Sequence, residues 1–313
     1  MTRREMQDLA VRLGQEHGAG VELDAALAPR LSMRVGGRAA AIIEPRGAEE
    51  VASLVEALRA VSAPHHLLGG GSNVLADDGD LDFLVVQVPA DASSVSIDDV
   101  LLRVGAGVKL AVVLREAAKA GLSGLEWAAG LPGTIGGAVF GNAGAFGGEI
   151  GPSVREVALL DAQGVLRRHR PEPNDFAYRH SFVREGELVL EVELELERST
   201  PEAVRDEMNR VNTQRSASQP KGGHSSGCVF KNPEGGQAGR LIDECGLKGR
   251  RAGGVHVSEA HGNFFINDGD ATAADIHALI TTVRDEVRRQ RGIELECELR
   301  HWGPRDDGEG GTS

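Results

Sequence analysis

The sequence contains few cysteines, and their spacing fits no known cysteine framework. Cys228, Cys245 and Cys297 are the only three in 313 residues, and no two of them form a CxxC pair. An odd number of widely separated cysteines excludes a disulfide scaffold and a cysteine-rich structural zinc site. The ten histidines also lack metal-binding spacings such as HExxH, so we expect no metal centre.

The chain is also short of basic charge and of long apolar stretches. Asp and Glu number 47 against 34 Lys and Arg, so the formal net charge is −13. An acidic protein lacks the basic surface that nucleic acid or an anionic membrane requires, and we expect neither as a partner. No apolar run reaches the ~20 residues that span a bilayer, and no signal-like segment opens the chain. We therefore expect a cytoplasmic protein.

Glycine, in contrast, is abundant and clustered. Among 42 glycines, two clusters stand out: LGGGSNVL at residues 68–75 and the glycine-rich stretch 130–151. Successive backbone N–H groups in such turns can bind phosphate, and glycine lets the phosphate approach them closely. LGGGSNVL alone fits an unliganded tight turn equally well, since it matches neither GxGxxG nor the P-loop pattern. Two clusters together favour one large phosphate-bearing cofactor.

Helical and strand-like periodicities alternate along the chain, which predicts an α+β or α/β protein. We expect a leading helix over residues 1 to about 25 and a late helix from about Thr272 to Arg291. The stretch 130–151 predicts a long loop around one short helix. The segment IELECELRHW, residues 293–302, predicts a final strand with its glutamates on one face.

The pentapeptide GHSSG at residues 223–227 matches GxSxG, the nucleophile elbow of serine hydrolases. That motif needs a strand immediately before it and a helix immediately after it. Here SQPKG precedes the motif and CVFKNP follows it, and neither has the required character. A hydrolase that uses Ser225 is therefore a disfavoured alternative.

The overlapping stretch SSGCVFKNP, residues 225–233, leaves the role of Cys228 open. Considered alone, the thiol fits a metal ligand, a redox group, a nucleophile, a packed core residue or a proton donor, and a packed residue is the commonest of these. Tyr178-Arg179 and the glutamates of IELECELRHW are, by composition, ordinary surface residues. An arginine beside a buried site would nevertheless suit a carboxylate or an enolate, through charge-assisted hydrogen bonds.

Taken together, these stretches resemble the UDP-N-acetylenolpyruvoylglucosamine reductases of bacterial peptidoglycan synthesis, in the shorter form without an added tyrosine-bearing loop. The resemblance extends from about residue 31 to residue 303. Seven motifs occur in the family's order, which is a highly specific pattern: LGGGSNVL, GLEWAAGLPGTIGGAVFGNAGAFGGE, YRHS, SGCVFKNP, AGRLIDECGLKG, GGVHVSEAHGNFFIN and ELR.

The resemblance implies an α+β enzyme with a vanillyl-alcohol-oxidase-like FAD-binding fold. FAD would be bound non-covalently and reduced by NADPH as co-substrate. A hydride would pass from flavin N5 to C3 of the enolpyruvyl group, and a protein acid would protonate C2 to give UDP-N-acetylmuramate. The implied domain order is an N-terminal helical extension (1–24), two FAD-binding subdomains (25–88 and 89–200), a substrate-binding domain (201–303) and a disordered tail (304–313).

By the same resemblance, three residues carry the reaction. Arg179 would stabilise the negative charge that hydride addition places on C2 and its carboxylate, and Glu298 matches the family's second stabilising acid. A carboxyl group kept protonated by burial could donate a hydrogen bond there. Cys228 stands where most members have the serine that protonates C2. A thiol, with an unperturbed pKa of ~8.5, stays mostly protonated near neutral pH and releases its proton more readily than a hydroxyl.

The resemblance also implies binding residues. Those that match FAD contacts are Gly70, Gly71, Ser72, Asn73, Pro132, Gly133, Thr134, Gly137, Gly144 and Arg215. Those that match substrate contacts are Tyr178, Lys231, Asn232 and His261. Two further positions depart from the family. Ser218 stands where many members have Lys, a charge that Lys221 could replace, and Phe146 stands where Tyr is usual.

Three alternatives stand beside the NADPH-dependent reductase. A flavin oxidase on the same fold would usually attach its flavin through His or Cys; here no cysteine precedes Cys228, and His65–His66 lie just before the first glycine cluster. A flavin-free hydrolase would use Ser225, and a binding module would hold a nucleotide without NADPH turnover. The expected partner is a UDP-sugar, and the expected assembly is a monomer or a weak homo-oligomer.

Overall fold

The structure is a computed structural model that describes residues 1–91 and 94–304. The predicted disordered tail therefore lies outside the described residues, except for Pro304. The chain divides into two compact units, each assembled from three segments. The first unit comprises Met1–Leu23, Ala40–Gly70 and Asp82–Gln214; the second comprises Asp24–Ala39, Gly71–Leu81 and the chain from Arg215 onward.

Helices and strands alternate in both units, which confirms the α+β class. The α-helices of the described residues are α1 (Arg3–His17), α2 (Ala48–Ala60), α3 (Leu110–Ala120), α4 (Ile135–Phe140), α5 (Pro201–Ser218), α6 (Ala238–Glu244) and α7 (Ala273–Arg291). None of these seven is both long enough and apolar enough to cross a membrane. The strands of the same residues are β1 (Gly20–Ala26), β2 (Arg38–Glu44), β3 (His65–Leu68), β4 (Val74–Ala76), β5 (Asp80–Gln87), β6 (Val95–Asp98), β7 (Leu101–Gly105), β8 (Leu122–Ser123), β9 (Gly144–Ala145), β10 (Gly148–Glu149), β11 (Val154–Leu160), β12 (Leu166–His169), β13 (Phe176–Ala177), β14 (His180–Ser181), β15 (Leu188–Glu195), β16 (Glu197–Arg198), β17 (Arg251–Ala252), β18 (Val255–Val257), β19 (Phe265–Asn267) and β20 (Arg300–Trp302).

The first unit contains two hydrophobic cores. It includes most of a four-stranded sheet, in the order β1-β2-β5-β3, and all of a five-stranded antiparallel sheet, in the order β12-β11-β15-β7-β6. Helix α2 buries Val51, Leu54, Val55 and Leu58, whose spacing of three and four residues puts them on one face, against α1 and the first sheet. Helices α3 and α4 pack into the other core, with the second sheet.

The second unit has its own core beneath a three-stranded antiparallel sheet, β17-β18-β19. Helices α6 and α7 pack into this core, and β4 pairs with β20 in parallel. Helix α7 follows Thr272, whose hydroxyl accepts the Asp275 N–H while the Asp275 carboxylate accepts the Thr272 N–H. It ends at Gly292, in the left-handed conformation (φ +68°). The predicted helix from about Thr272 to Arg291 is thus confirmed.

Two other element predictions were partly wrong. The leading helix ends at His17, because Gly18 caps it in the left-handed conformation (φ +65°) and strand β1 follows. The predicted strand over residues 293–302 is regular only at its end, in β20. Upstream of β20, Cys297 forms a single backbone bridge with Phe230. The alternation of side chains predicted which residues share a face. A regular β-strand also needs a partner strand of matching length to hydrogen-bond with, and most of residues 293–302 lack one among the described residues.

The cap of α7 provides a direct test of this local structure. Thr272→Ala removes the hydroxyl acceptor, so we expect the free energy of unfolding to fall by about 1 kcal/mol. Thr272→Ser keeps an acceptor and should stay close to the parent. Thr213→Ala, at an exposed position inside α5, is the matched control, with an expected change within ~0.5 kcal/mol. Urea unfolding followed by circular dichroism compares them; equal losses at both threonines would contradict the capping role.

Candidate functional site

Parts of the two glycine clusters meet in the first unit. A Cβ at Gly69 would lie 2.8 Å from Thr134 Oγ1, and a Cβ at Gly70 would lie 2.9 Å from Gly133 Cα. At Gly70 backbone therefore packs against backbone, at Gly69 it packs against a side chain, and only glycine leaves room for these contacts. Two segments more than sixty residues apart in sequence thus form one surface, as a single cofactor-binding region requires.

The start of α4 lies beside this contact. Thr134, which is buried, is the N-cap of α4, and its hydroxyl accepts a hydrogen bond from Gly137 N (3.3 Å). Gly137 is exposed, as is Pro132. Outside the helix backbone, a Cβ at Gly137 would meet only Thr134 Oγ1 among the described residues, at 3.4 Å. The backbone of this turn is therefore open to a ligand on the side of Gly137.

Tyr178 and Arg179 form the two-residue turn between β13 and β14. Arg179 has φ +55°, in the left-handed region that side-chain-bearing residues rarely adopt. Its Nη1 donates a hydrogen bond to Gly144 O (3.2 Å), and its guanidinium carbon lies 5.3 Å from the centroid of the Tyr178 ring. The Tyr178 side chain is exposed, whereas Arg179 is half-buried. Arg179 is thus held against the glycine-rich loop rather than extended into solvent.

The sequence analysis missed Asn142, which joins this loop to the Arg179 hairpin. Its side chain is 1% exposed; Nδ2 donates to Ala177 O (2.9 Å) and Glu149 Oε2 (3.0 Å), and Oδ1 accepts from Gly151 N (3.1 Å). The available signal was an asparagine within a glycine-rich loop, a residue that tolerates the positive φ (+41°) found here. The Asn142 side chain therefore hydrogen-bonds Glu149 and Gly151 of the loop and Ala177 of the hairpin, and so connects the two.

In the second unit, Cys228 lies on a short extended segment with a partner on each side. On one side Cys228 forms a backbone bridge with Phe264, and Val229 N donates to Asn263 O (2.9 Å). On the other side Glu298 N donates to Val229 O (2.7 Å). Cys228 is thus adjacent in sequence to the residue that hydrogen-bonds Glu298, and both Cys228 and Glu298 are half-buried.

A second buried amide completes this segment and was also missed from the sequence. Asn263, 1% exposed, accepts a hydrogen bond from Phe230 N at Oδ1 (2.9 Å) and donates one to Phe230 O through Nδ2 (2.7 Å). The motif GGVHVSEAHGNFFIN contains Asn263, but nothing in its spacing distinguishes this residue from the neighbouring positions. The Asn263 side chain thus makes the two backbone hydrogen bonds at Phe230 that a neighbouring strand would otherwise make.

The environment of Cys228 differs from that of a packed thiol. Cys245 is buried in the core of the second unit, whereas Cys228 is only half-buried. Arg215 Nη1 donates to Gln219 Oε1 (3.2 Å). Burial lowers the pKa of the Arg215 guanidinium, and the negative charge of a Cys228 thiolate acts against that shift. Arg215 is therefore near enough to stabilise a thiolate at Cys228 by electrostatic attraction.

The glutamates of IELECELRHW have different environments, although the sequence puts them in one pattern. Glu294 is exposed and lies 3.4 Å from Arg288, and Glu296 is exposed and ion-paired with Lys231. Glu298 is half-buried on the segment that pairs with Val229. Glu294 and Glu296 are therefore solvent-exposed surface residues, as composition suggested, whereas Glu298 is not.

Asn73 connects LGGGSNVL to the Glu298 segment. Gly71 has φ +62°, and a Cβ there would lie 2.2 Å from Arg30 O. Ser72 follows, half-buried, and Asn73 Nδ2 donates a hydrogen bond to Glu298 O (2.9 Å). The second unit therefore links part of the first glycine cluster directly to a predicted catalytic residue.

The predicted substrate residues of the second unit have partners of their own. Lys231 is paired with Glu296, and exposed Asn232 accepts a hydrogen bond from Ala238 N (3.0 Å), at the first residue of α6. His261 is half-buried, and this burial lowers its imidazole pKa, so that the ring is neutral at pH 7. Contacts of these residues with a substrate remain predictions.

The GHSSG sequence does not form a nucleophile elbow. His224 forms a backbone bridge with Asn267, and Ser225 Oγ accepts a hydrogen bond from Gly227 N (3.2 Å). The next helix along the chain, α6, begins only at Ala238. Over the described residues 219–238 there is therefore no strand–turn–helix arrangement to support the hydrolase alternative.

The residues present fit an FAD site in the first unit. The close contact at Gly70 and Gly133 and the open turn at Gly137 provide backbone that a dinucleotide phosphate can approach. Trp127, which lies against Gly148 of the second glycine cluster, has a buried Nε1 without a hydrogen-bond partner among the described residues. A buried donor of this kind requires an acceptor, which a bound group can supply.

Comparisons with known proteins agree with these observations. The FAD binding domain family matches residues 39–170, and the C-terminal domain family of UDP-N-acetylenolpyruvoylglucosamine reductase matches residues 219–302. The UDP-N-acetylenolpyruvoylglucosamine reductase of Moorella thermoacetica is 43% identical, over 88% of this chain and 91% of its own length. That of Caulobacter vibrioides is 37% identical, over 90% of this chain and 94% of its own. The crystal structure of UDP-N-acetylenolpyruvylglucosamine reductase from Thermus caldophilus matches with a TM-score of 0.76 and 36% identity, covering 91% of this chain and 98% of that chain.

The two family matches lie in both units and include every motif of the resemblance except YRHS, whose residues 178–181 fall between the two matched ranges. They confirm FAD as the cofactor and NADPH as the co-substrate. The chain belongs to the UDP-N-acetylenolpyruvoylglucosamine reductase family and is an FAD-containing, NADPH-dependent oxidoreductase of peptidoglycan precursor synthesis.

Proposed function

We propose that Cys228 donates the proton that completes reduction of the enolpyruvyl group of UDP-N-acetylglucosamine-enolpyruvate to UDP-N-acetylmuramate. The observation that carries this proposal is the backbone pairing around Val229. Cys228, with its half-buried thiol, directly precedes Val229, and Glu298 N donates a hydrogen bond to the Val229 carbonyl. Cys228 also stands at the motif position where most family members have the protonating serine.

The reaction adds a hydride and a proton across one carbon–carbon double bond. When bound at the glycine clusters, FAD in its reduced form would supply the hydride for C3. Electron density then accumulates on C2 and on the adjoining carboxylate, as in an enolate. The protein's own tasks are to stabilise that charge as it develops and to deliver a proton to C2.

The surroundings of Cys228 suit a proton donor. An ordinary thiol, with a pKa of ~8.5, is mostly protonated near neutral pH. After the proton has left, the nearby Arg215 guanidinium stabilises the thiolate that remains. Because the Cys228 side chain is only half-buried, solvent can return the proton before the next turnover.

Arg179 and Glu298 are proposed to stabilise the enolate-like charge. The left-handed turn and the hydrogen bond to Gly144 O restrain Arg179, so its guanidinium is oriented before the substrate arrives. Glu298 is half-buried, unlike the exposed Glu294 and Glu296. In its protonated form Glu298 would donate a hydrogen bond to the anion.

The binding residues form the second part of the proposal. FAD would contact the backbone and side chains of Gly70, Gly71, Ser72, Asn73, Pro132, Gly133, Thr134, Gly137 and Gly144, with Arg215 nearby. The UDP-sugar substrate would contact Tyr178, Lys231, Asn232 and His261. Lys231 would release its ion pair with Glu296 and pair with the substrate diphosphate instead. His261, being neutral, would act through hydrogen bonds rather than charge.

The setting of the enzyme belongs to the same proposal. We place it in the cytoplasm, as a monomer or a weak homo-oligomer. The sequence division into FAD-binding subdomains at 25–88 and 89–200 and a substrate domain at 201–303 is retained as a proposal. Lys221 is exposed three residues after Ser218, and it would supply the charge that the serine lacks.

The half-reactions can be observed directly through the flavin. The purified protein should be yellow, lose its colour anaerobically with NADPH, and regain it on addition of the enolpyruvyl sugar nucleotide, because electrons pass from flavin to C3. Acid precipitation should release the FAD into the supernatant. A colourless protein would contradict the proposal, and flavin retained in the pellet would favour a covalent flavin oxidase.

Substitution of Cys228 separates proton donation from flavin chemistry. Cys228→Ala should slow substrate-dependent flavin reoxidation by about 10²-fold or more, since that is the contribution of a positioned general acid. Cys228→Ser should retain substantial activity, because a hydroxyl can also give the proton. Flavin reduction by NADPH should be nearly unchanged in both, and Cys297→Ser is the control thiol variant. Stopped-flow absorbance measures each step; loss of both steps in Cys228→Ala would instead indicate a structural role.

The two charge-stabilising residues are tested in the same way. Arg179→Ala and Glu298→Ala should each slow flavin reoxidation by about 10²-fold or more, because each removes an interaction with charge formed in the transition state. Arg184→Ala and Glu294→Ala change an exposed residue of the same type and should react at the parent rate. Reoxidation at the parent rate in either active-site variant would show that its assignment is wrong.

A further inference from the structure

Three side chains that the reductase chemistry does not use converge in the second unit. Asp77 follows β4, His277 lies on α7, and His301 lies in β20. Both Nε2 atoms approach the same carboxylate oxygen: Asp77 Oδ1 is 3.0 Å from His277 Nε2 and 2.6 Å from His301 Nε2. The candidate ligand atoms of all three residues lie within 4.8 Å of one another. Their separation in sequence gave no spacing by which the cluster could be recognised.

The fold builds this cluster from three elements by backbone contacts. Asp77 N donates to Trp302 O (2.8 Å), which extends the parallel pairing of β4 and β20 by one residue. The carboxylate of the next residue, Asp78, accepts a hydrogen bond from Ala273 N (2.9 Å), at the first residue of α7. His277 follows Ala273 by four residues, so it lies one turn further along the same face of the helix. The approach of His277 to Asp77 is therefore set by the start of α7.

Gly303 packs closely against the Asp77 carboxylate, and the cluster is accessible from solvent. A Cβ at Gly303 would lie 1.9 Å from Asp77 Oδ2, so any side chain at this position would displace the carboxylate. The side chains of Asp77, His277 and His301 are 25%, 40% and 33% exposed. An ion can therefore enter from solvent, and a water molecule can complete its coordination.

We propose that Asp77, His277 and His301 bind a divalent first-row transition metal, for which Zn²⁺ is the probe. Two imidazole nitrogens and one carboxylate oxygen suit Zn²⁺, whereas Mg²⁺ and Ca²⁺ prefer oxygen ligands alone. Each neutral ring would carry its proton on Nδ1 and coordinate through Nε2. Tetrahedral coordination at 2.0–2.2 Å separates ligand atoms by about 3.4 Å, so the side chains need to move by no more than about 1.5 Å.

The ion would tie together elements that also carry catalytic residues. Asn73 immediately precedes β4, and Glu298 lies two residues before β20. Their hydrogen bond closes one end of this strand pair, and the metal would close the other end. The site is thus structural: it stabilises the second unit and does not take part in hydride or proton transfer. It is independent of the proposed roles of Cys228, Arg179 and Glu298.

Calorimetric titration tests the site on the FAD-loaded protein after chelator treatment. The parent should bind one equivalent of Zn²⁺ per chain, and saturating Zn²⁺ should raise the melting temperature by about 3 to 5 °C, because the ion binds only the folded state. His277→Gln and His301→Gln should each weaken Zn²⁺ binding by about tenfold or more. The glutamine amide can still donate a hydrogen bond to Asp77, so the fold is retained, and an unchanged flavin spectrum verifies this.

His256→Gln is the matched control in the same unit. His256 Nδ1 lies 3.1 Å from Asp268 Oδ2, so these two residues form a His–Asp pair in which the cluster's second histidine has no counterpart. Replacing His256 should therefore leave the Zn²⁺ affinity unchanged. A parent protein that binds no Zn²⁺ would overturn the proposal and leave a hydrogen-bonded cluster only. Zn²⁺ binding of parent strength in both His277→Gln and His301→Gln would also overturn it, because the ion would then be bound elsewhere.

Discussion

The backbone pairing of residues 228–231 is the interaction that holds together the segments carrying the predicted catalytic residues Cys228 and Glu298. Val229 accepts from Glu298 N and donates to Asn263 O, and the Asn263 side chain satisfies both backbone groups of Phe230. Because an unpaired buried N–H or C=O costs about as much as a lost hydrogen bond, this segment has little freedom to shift. The backbone therefore sets the position of residue 228 independently of its side chain.

Conformational restraint also positions the cation in the first unit. Arg179 occupies the second position of a tight turn with positive φ, and Asn142 ties the adjacent strand residue Ala177 to the glycine-rich loop. A long side chain loses rotamer freedom when it is ordered, and this cost is reduced when the backbone already restricts it. The contact of Gly70 with Gly133 follows the same logic, because the absence of side chains lets two loops share one surface.

The sequence predicted best where a single local rule applied. The α7 boundaries followed from a threonine cap and a terminal glycine, and the long loop around α4 followed from its glycine content. Prediction was poorest over residues 293–302, where the alternation was read correctly but the partner strand is only a few residues long. Side-chain alternation reports burial on one face, whereas a regular strand also requires a neighbour, and that neighbour comes from elsewhere in the chain.

The amino-acid sequence by itself determined the family, because seven motifs occur in the family's order, and this resemblance implied the cofactor and the reaction. It also predicted a catalytic role for Cys228. Only the tertiary structure distinguished Glu298 from Glu294 and Glu296, and only it brought Arg215 near Cys228. The cluster of Asp77, His277 and His301 likewise depends on the chain path, since contacts between residues two hundred positions apart follow from packing and leave no local pattern in the sequence.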